Sequence, residues 1–422
     1  KPNPHAFEAK FVHQDILTSW TDETKSEIYI FNEFFFKDLK NVELYWHLIV
    51  DGNVTKEGVV TNLEVLPQET KNIKLPFQMP ETKYKEAFVN ISYRLKNAEP
   101  FLPKGHIIAK EQLALNKSNM EPLEIVGSEK FKVLKTNDNI TFSSGDVVFT
   151  FDKSSGLLSN YQYKNNNILV DGALLKPNFW RAPIDNDYGA GLQNKLKVWK
   201  EPLVDLEPKI FKVENKKDHT VSVQVMYRLD AAFSDLEINY SLNSLGELMV
   251  QQNLSIDEKT ETPMLFRYGL IMQLPKAFEN ITYYGRGPIE NYSDRNYSTD
   301  VGIYDQTVTD QYYPYIRPQE TGNKTDVRWY KLSNNKVNLT ITSDNLFNAT
   351  AMHYTQEQLD DGDKKDQRHA SEIFESDITE LKIDLKQMGL GSIDSWGSIP
   401  LEKYRLTDKN YSFQFKITPS SK

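Results

Sequence analysis

Residues 219–229 read HTVSVQVMYRL, and this stretch constrains the fold more than any other. Val221, Val223, Val225, Tyr227 and Leu229 fall on one face of an extended chain, with Thr220, Ser222, Gln224 and Arg228 on the other. Successive side chains of a strand point to opposite sides, so a period of two sets all five apolar groups against one core. A helix would scatter them around its axis. DLEINYSL repeats the pattern with Leu236, Ile238, Tyr240 and Leu242, and Gly246 then turns the chain into a strand carrying Leu248 and Val250. VVFTF, Ser154-Ser155-Gly156 and LLSNYQY predict a further hairpin. Aromatic residues are 12% of the chain, which suits strands. The best helical spacing, Leu192, Leu196 and Trp199, is short. The expected fold is all-β and mostly antiparallel, with one or two short helices.

At 422 residues the chain is too long for one ordinary core. A boundary is expected near residue 118, where the polar stretch LNKSNMEP reads as a linker. Residues 1–118 hold strands such as ELYWHLIV, with Leu44, Trp46, Leu48 and Val50 on one face, then an Asp51-Gly52 hairpin turn and the strand AFVNISYRL. That size and pattern predict an immunoglobulin-like β-sandwich, without a cysteine pair. Residues 119–422 contain no internal repeat and predict one large antiparallel β-sandwich. The opening KPNPHAFEAK reads as an extended connector, because each proline biases its predecessor away from helix.

Several function classes are disfavoured. Net charge is −9 and no basic patch stands out, so nucleic acid is not an expected partner. Apolar runs are strand-sized, which gives no membrane-spanning helix. Cysteine is absent, and the 7 histidines show no HxH or HExxH spacing, so no metal site is expected. Four segments mix glycine or proline with charges and aromatics, as functional loops do: NFWRAPIDNDYG, YYGRGPIENYSDR, YIRPQETGN and QMGLGSIDSWGS. Asp185, Asp187, Glu290, Asp294 and Glu320 could supply a glycosidase carboxyl pair, but nothing in their spacing selects two of them. Turn and ion-pair roles are the expected account of most of them.

In order, these segments resemble the C-terminal part of bacterial β-galactosidases of glycoside hydrolase family 2. KPNPHAFEAK is similar to the connector leaving the catalytic barrel. FNEFFFKDLKNVELYWHLIVDGNVTKEG and GHIIAKEQLAL resemble the second immunoglobulin-like domain. NFWRAPIDNDYG, YYGRGPIENYSDR, YPYIRPQETGN and MGLGSIDSWG resemble the large terminal β-sandwich, the "small chain" region, a supersandwich of galactose mutarotase-like fold.

The resemblance implies that the catalytic glutamates, and most ligands of the family's Mg and Na ions, lie on an upstream barrel. No β-α alternation here can form one. The chain is thus expected to hold no catalytic residue, no cofactor and no metal of its own. Trp396 corresponds to a sugar-stacking wall on the aglycone side. Gly189 corresponds to the mobile rim segment, expected over Asp187–Gln193, with Arg181, Asp185, Asn186 and Asp187 as its braces. The implied partners are β-galactoside sugars, the upstream barrel and further copies of a homo-oligomeric full-length enzyme. Ser392-Ile393 replaces the family's usual Gly-acid pair, which puts the aim of the tryptophan loop in question. Two other readings stay open: an autonomous carbohydrate-binding module, and an aldose epimerase using His219, His353 or His369 with a carboxylate.

Overall fold

The computed structural model describes residues 2–78, 86–116, 120–391, 394 and 396–422. The chain folds into two compact units, residues 1–119 with 297–303, and residues 120–296 with 304–422. Inclusion of 297–303 in the first unit has no counterpart in the sequence pattern. Strands dominate both units, and α-helices are short, at Pro4–Val12, Asp185–Gly189, Leu192–Lys195 and Gln356–Leu359.

The first unit contains a three-stranded sheet and a four-stranded one, the latter in the order Asn53–Val60, Val42–Val50, Ala87–Leu95, Ile107–Ala114. Val42, Leu44, Trp46 and Leu48 are buried as the alternation predicts, but a bulge after Leu48 puts Ile49 inward and leaves Val50 half-buried. Asp51 and Gly52 both have positive φ, at 46° and 83°, and join Val50 to its partner Asn53. That is the backbone a two-residue hairpin turn requires.

One expectation fails here. Pro4–Val12 is an α-helix rather than an extended connector. Pro4 occupies its first turn, where the missing N–H has no helical partner anyway, and only Asn3, with ψ 148°, takes the extended conformation proline imposes.

In the second unit a five-stranded sheet faces a twelve-stranded one. Nine strands of the larger sheet run in continuous order, from Lys176–Asn178 through Arg267–Pro275, Ile378–Gln387, Val337–Met352 and Asn410–Ser421 to Ile210–Asn215. Val221–Leu229 pairs with Ser234–Leu242, and Ser234–Leu242 with Leu248–Ile256, all antiparallel. Val223, Tyr240 and Val250 share a core with Phe142, Phe149, Phe151 and Tyr161 of the smaller sheet. Phe151 meets Tyr240 edge-on, with ring centroids 5.0 Å apart. The unit is a large antiparallel β-sandwich, and its connections carry the polar motifs.

Candidate functional site

Trp396 is 93% exposed. Its backbone N–H donates to the Asp394 carboxylate at 2.8 Å. Gly397 follows with φ 108°, and a Cβ there would lie 3.2 Å from the Gly189 carbonyl oxygen. Gly189 is therefore placed beside the residue after Trp396. Ser392 and Ile393, the pair that put the loop's aim in question, lie outside the described residues.

The loop leaves the end of strand Ile378–Gln387 at Met388, and from Met388 N to Gly391 N its backbone is held at every step. Met388 N–H donates to Phe266 O at 2.8 Å, and Gly389 N–H to Tyr404 O at 2.9 Å. Arg181 donates to Met388 O at 2.7 Å and to Gly389 O at 3.2 Å. Asn186 donates to Leu390 O at 3.0 Å. Asp294 accepts from Leu390 N–H at 3.0 Å and from Gly391 N–H at 2.6 Å. Seven consecutive backbone polar groups thus have named partners, five of them from the side chains of Arg181, Asn186 and Asp294 and two from backbone carbonyls.

Local sequence explains how the three side chains get there. Asp187 is the third residue of helix Asp185–Gly189, and its carboxylate reaches back to Ile184 N–H at 3.0 Å, closing the first turn. The same carboxylate receives Arg181 as a two-pronged pair at 3.0 and 2.7 Å. Arg181 is wholly buried, with its guanidinium 4.8 Å from the Phe266 ring centroid. A buried charge of this kind needs its counter-charge and full hydrogen bonding, and Asp187 with the two carbonyls provides both. Asp294 sits in a two-residue turn closed by reciprocal hydrogen bonds between Tyr292 and Arg295, at 3.1 and 2.8 Å.

Asp185 does something else. Its carboxylate bonds Arg317 at 2.9 Å and Lys365 at 2.7 Å, and not the tryptophan loop. Partial burial opposes its ionisation, yet Lys365 and Arg317 outweigh that and hold it below the usual aspartate range. The segment Asp187–Gln193, expected as a mobile rim segment, is packed into two helical turns with Asp187, Ala190, Leu192 and Gln193 buried. Leu192, Leu196 and Trp199 all enter the main core, so the helical spacing read there is a packing signal.

The other candidate carboxylates are engaged in structure. Glu290 is buried and accepts from Thr321 Oγ and Gly322 N–H, each at 2.7 Å, besides Arg295 and Tyr315. Glu320 is buried against Arg267 at 3.4 Å. His353 is buried too, with one ring nitrogen on Ile378 O and the other on Glu279. That leaves no open face for a sugar. Asp294, read from the sequence as a candidate acid or a turn and ion-pair residue, is a turn residue whose hold on the tryptophan-loop stem sequence reasoning missed. The signal was the Gly389-x-Gly391 pair: a Cβ on Gly389 would lie 2.5 Å from the Asp294 carboxylate, and one on Gly391 2.9 Å.

Comparison with known proteins adds the following. A family model described as "Beta galactosidase small chain" matches residues 143–417, and one described as "Beta-galactosidase, domain 4" matches residues 28–116. A β-galactosidase of Priestia megaterium is 28% identical over 421 residues, covering 99% of this chain and 40% of the relative. One of Pseudoalteromonas haloplanktis is 25% identical, covering 99% and 41%. The chain therefore spans about two fifths of the curated relatives it matches. Among solved structures, galactose 1-epimerase from Lactobacillus acidophilus NCFM aligns with 69% of this chain at 8% identity and a TM-score of 0.37.

Proposed function

The chain belongs to the β-galactosidase small-chain family, and from that premise we propose that it is the C-terminal, non-catalytic portion of a β-galactosidase acting on terminal β-galactosides such as lactose. The immunoglobulin-like unit serves as a spacer after the barrel that bears the catalytic carboxylates. The large sandwich completes the aglycone side of the active site through Trp396. The observation that carries this reading is an almost fully exposed indole on a loop whose stem has a partner for every backbone group from Met388 N to Gly391 N. Water disfavours such an indole, and the bonded stem limits its collapse onto the protein. A flat apolar face held ready is what the C–H side of a sugar stacks on.

Stacking one sugar on indole removes about 40–60 Å² of apolar surface from water, on the order of 1–1.5 kcal/mol, or roughly tenfold in affinity. In the longer protein carrying the proposed barrel, Trp396→Ala should weaken lactose and acceptor-sugar binding by that factor and galactose binding less. Steady-state kinetics and inhibition by the separate sugars measure both. A variant that loses thermal stability while keeping sugar affinity would count against the stacking role. Turnover of aryl β-galactosides by this chain alone would overturn the non-catalytic assignment.

A further inference from the structure

We propose that Asp294 is the positioning residue of the Trp396 loop, setting aglycone affinity without touching the sugar. This rests on the stacking role given to Trp396 above. Asp294 lies in a different loop, 102 positions before Trp396 in the chain, and its two carboxylate oxygens accept from two successive backbone N–H groups, Leu390 at 3.0 Å and Gly391 at 2.6 Å. A carboxylate bridging neighbouring amides restrains the peptide between them, because both N–H groups must point at the same acid. On the carbonyls of the same stem, Asn186 takes Leu390 O at 3.0 Å and Arg181 takes the two preceding ones. The stem is thus held through its amides and its carbonyls, and among the described residues Asp294 holds the amide nearest the tip.

The glycines fit this reading from the other side. Neither Gly389 nor Gly391 has positive φ. What excludes a side chain there is the Asp294 carboxylate itself, 2.5 and 2.9 Å from the Cβ positions. Two glycines spaced by one residue are therefore the imprint of the acid that grips the backbone between them. The flanking residues hold that acid still: Ser293 Oγ approaches Gln387 O at 3.5 Å, and Arg295 anchors the turn to Glu290. A loop that loses this clamp keeps its tryptophan but samples more orientations, so stacking falls by the fraction of time the indole is misplaced.

The test compares Asp294→Asn, Asp294→Ala and Gly391→Ala with Trp396→Ala. Hydrogen exchange in this chain reads the stem directly. Asp294→Ala should raise exchange of peptides covering 388–398 by tenfold or more, with strand Ile378–Gln387 unchanged, and Asp294→Asn, which keeps one acceptor, should fall between. In the longer protein, Asp294→Ala should raise KM for lactose about three- to tenfold at nearly unchanged kcat for small aryl galactosides. Gly391→Ala leaves the acid intact and should give the same KM shift by pushing the amide off it, so misfolding of one variant does not decide the matter. Unchanged exchange in Asp294→Ala overturns the proposal. So does an intact lactose KM in Asp294→Ala when Trp396→Ala raises it. If exchange rises but neither variant changes KM, the clamp stands and the aglycone role of Trp396 falls instead.

Discussion

Arg181 shows how one buried residue joins two motifs, its carbonyl partner Met388 lying 207 positions further along the chain. Its fork closes on Asp187, and its remaining donors take the carbonyls of Met388 and Gly389. Removing one member of a buried pair leaves an uncompensated charge, which costs about 3–5 kcal/mol. Arg181→Met should therefore destabilise the larger unit by about that amount in urea unfolding. Arg181→Lys keeps the charge but not the fork, and should cost less while still loosening the stem. Equal stability of Arg181→Met and the unaltered chain would show that this pair contributes nothing net. At this scale the sequence was legible in kind but not in partner. Arg181, Asn186 and Asp187 stand out in NFWRAPIDNDYG, but so does Asp185, which faces Arg317 and Lys365 instead. Consecutive helix positions differ by about 100° in direction, and only the packed neighbours reveal which direction matters.

The pairing of strands Arg267–Pro275 and Ile378–Gln387 carries a second buried charge cluster. Arg267 forms a two-pronged pair with Asp384 at 3.1 and 2.8 Å and meets Glu320 at 3.4 Å. A bulge after Tyr268 brings Gly269 against Asp384, where a Cβ would lie 2.3 Å from the carboxylate. Two carboxylates around one guanidinium compete. Burial opposes ionisation of Glu320, but Arg267 and Lys382 hold it below the usual range. Asp384 is pushed up to about 6, by burial first and by Glu320 besides, against the pull of Arg267. Raised in the folded state, Asp384 binds its proton more tightly there than in the unfolded chain. Its contribution to stability is therefore greatest below the ordinary aspartate value of 3.8 and declines as pH rises from there to about 6. Asp384→Asn should flatten that decline in chemical denaturation across the same window, whatever it does to the absolute stability. A slope as steep as in the unaltered chain would assign the titration elsewhere.

Each unit has its own apolar core, one centred on Trp46, Tyr93 and Leu44, the other on the two facing sheets. Perturbations should then stay within a unit. Gly58 lies opposite Trp46 on the neighbouring strand, and a Cβ there would sit 2.6 Å from the indole. Gly58→Ala should destabilise the first unit by about 1–3 kcal/mol through overpacking. Exchange protection in Ala87–Leu95 should fall, while Val221–Leu229 keeps its own. Equal loss in both strands would mean that the units unfold as one.

The sequence by itself determined the local geometry, because strand alternation, hairpin turns and core burial depend on neighbours two or three positions away. HTVSVQVMYRL is buried on the side its pattern selects, and Asp51-Gly52 turns as its residue types require. Local rules erred where one residue obeys two of them, as Pro4 does at a helix start. Only the tertiary structure decided which polar side chain meets which backbone group. Asp294 and Leu390 are brought together by strands with no pattern in common, and hydrogen-bond direction leaves no periodic trace in a sequence. The same holds for Glu290, a plausible catalytic acid on paper, which the fold surrounds with donors from Thr321, Gly322, Arg295 and Tyr315. A carboxylate so fully bonded has no lone pair left for chemistry.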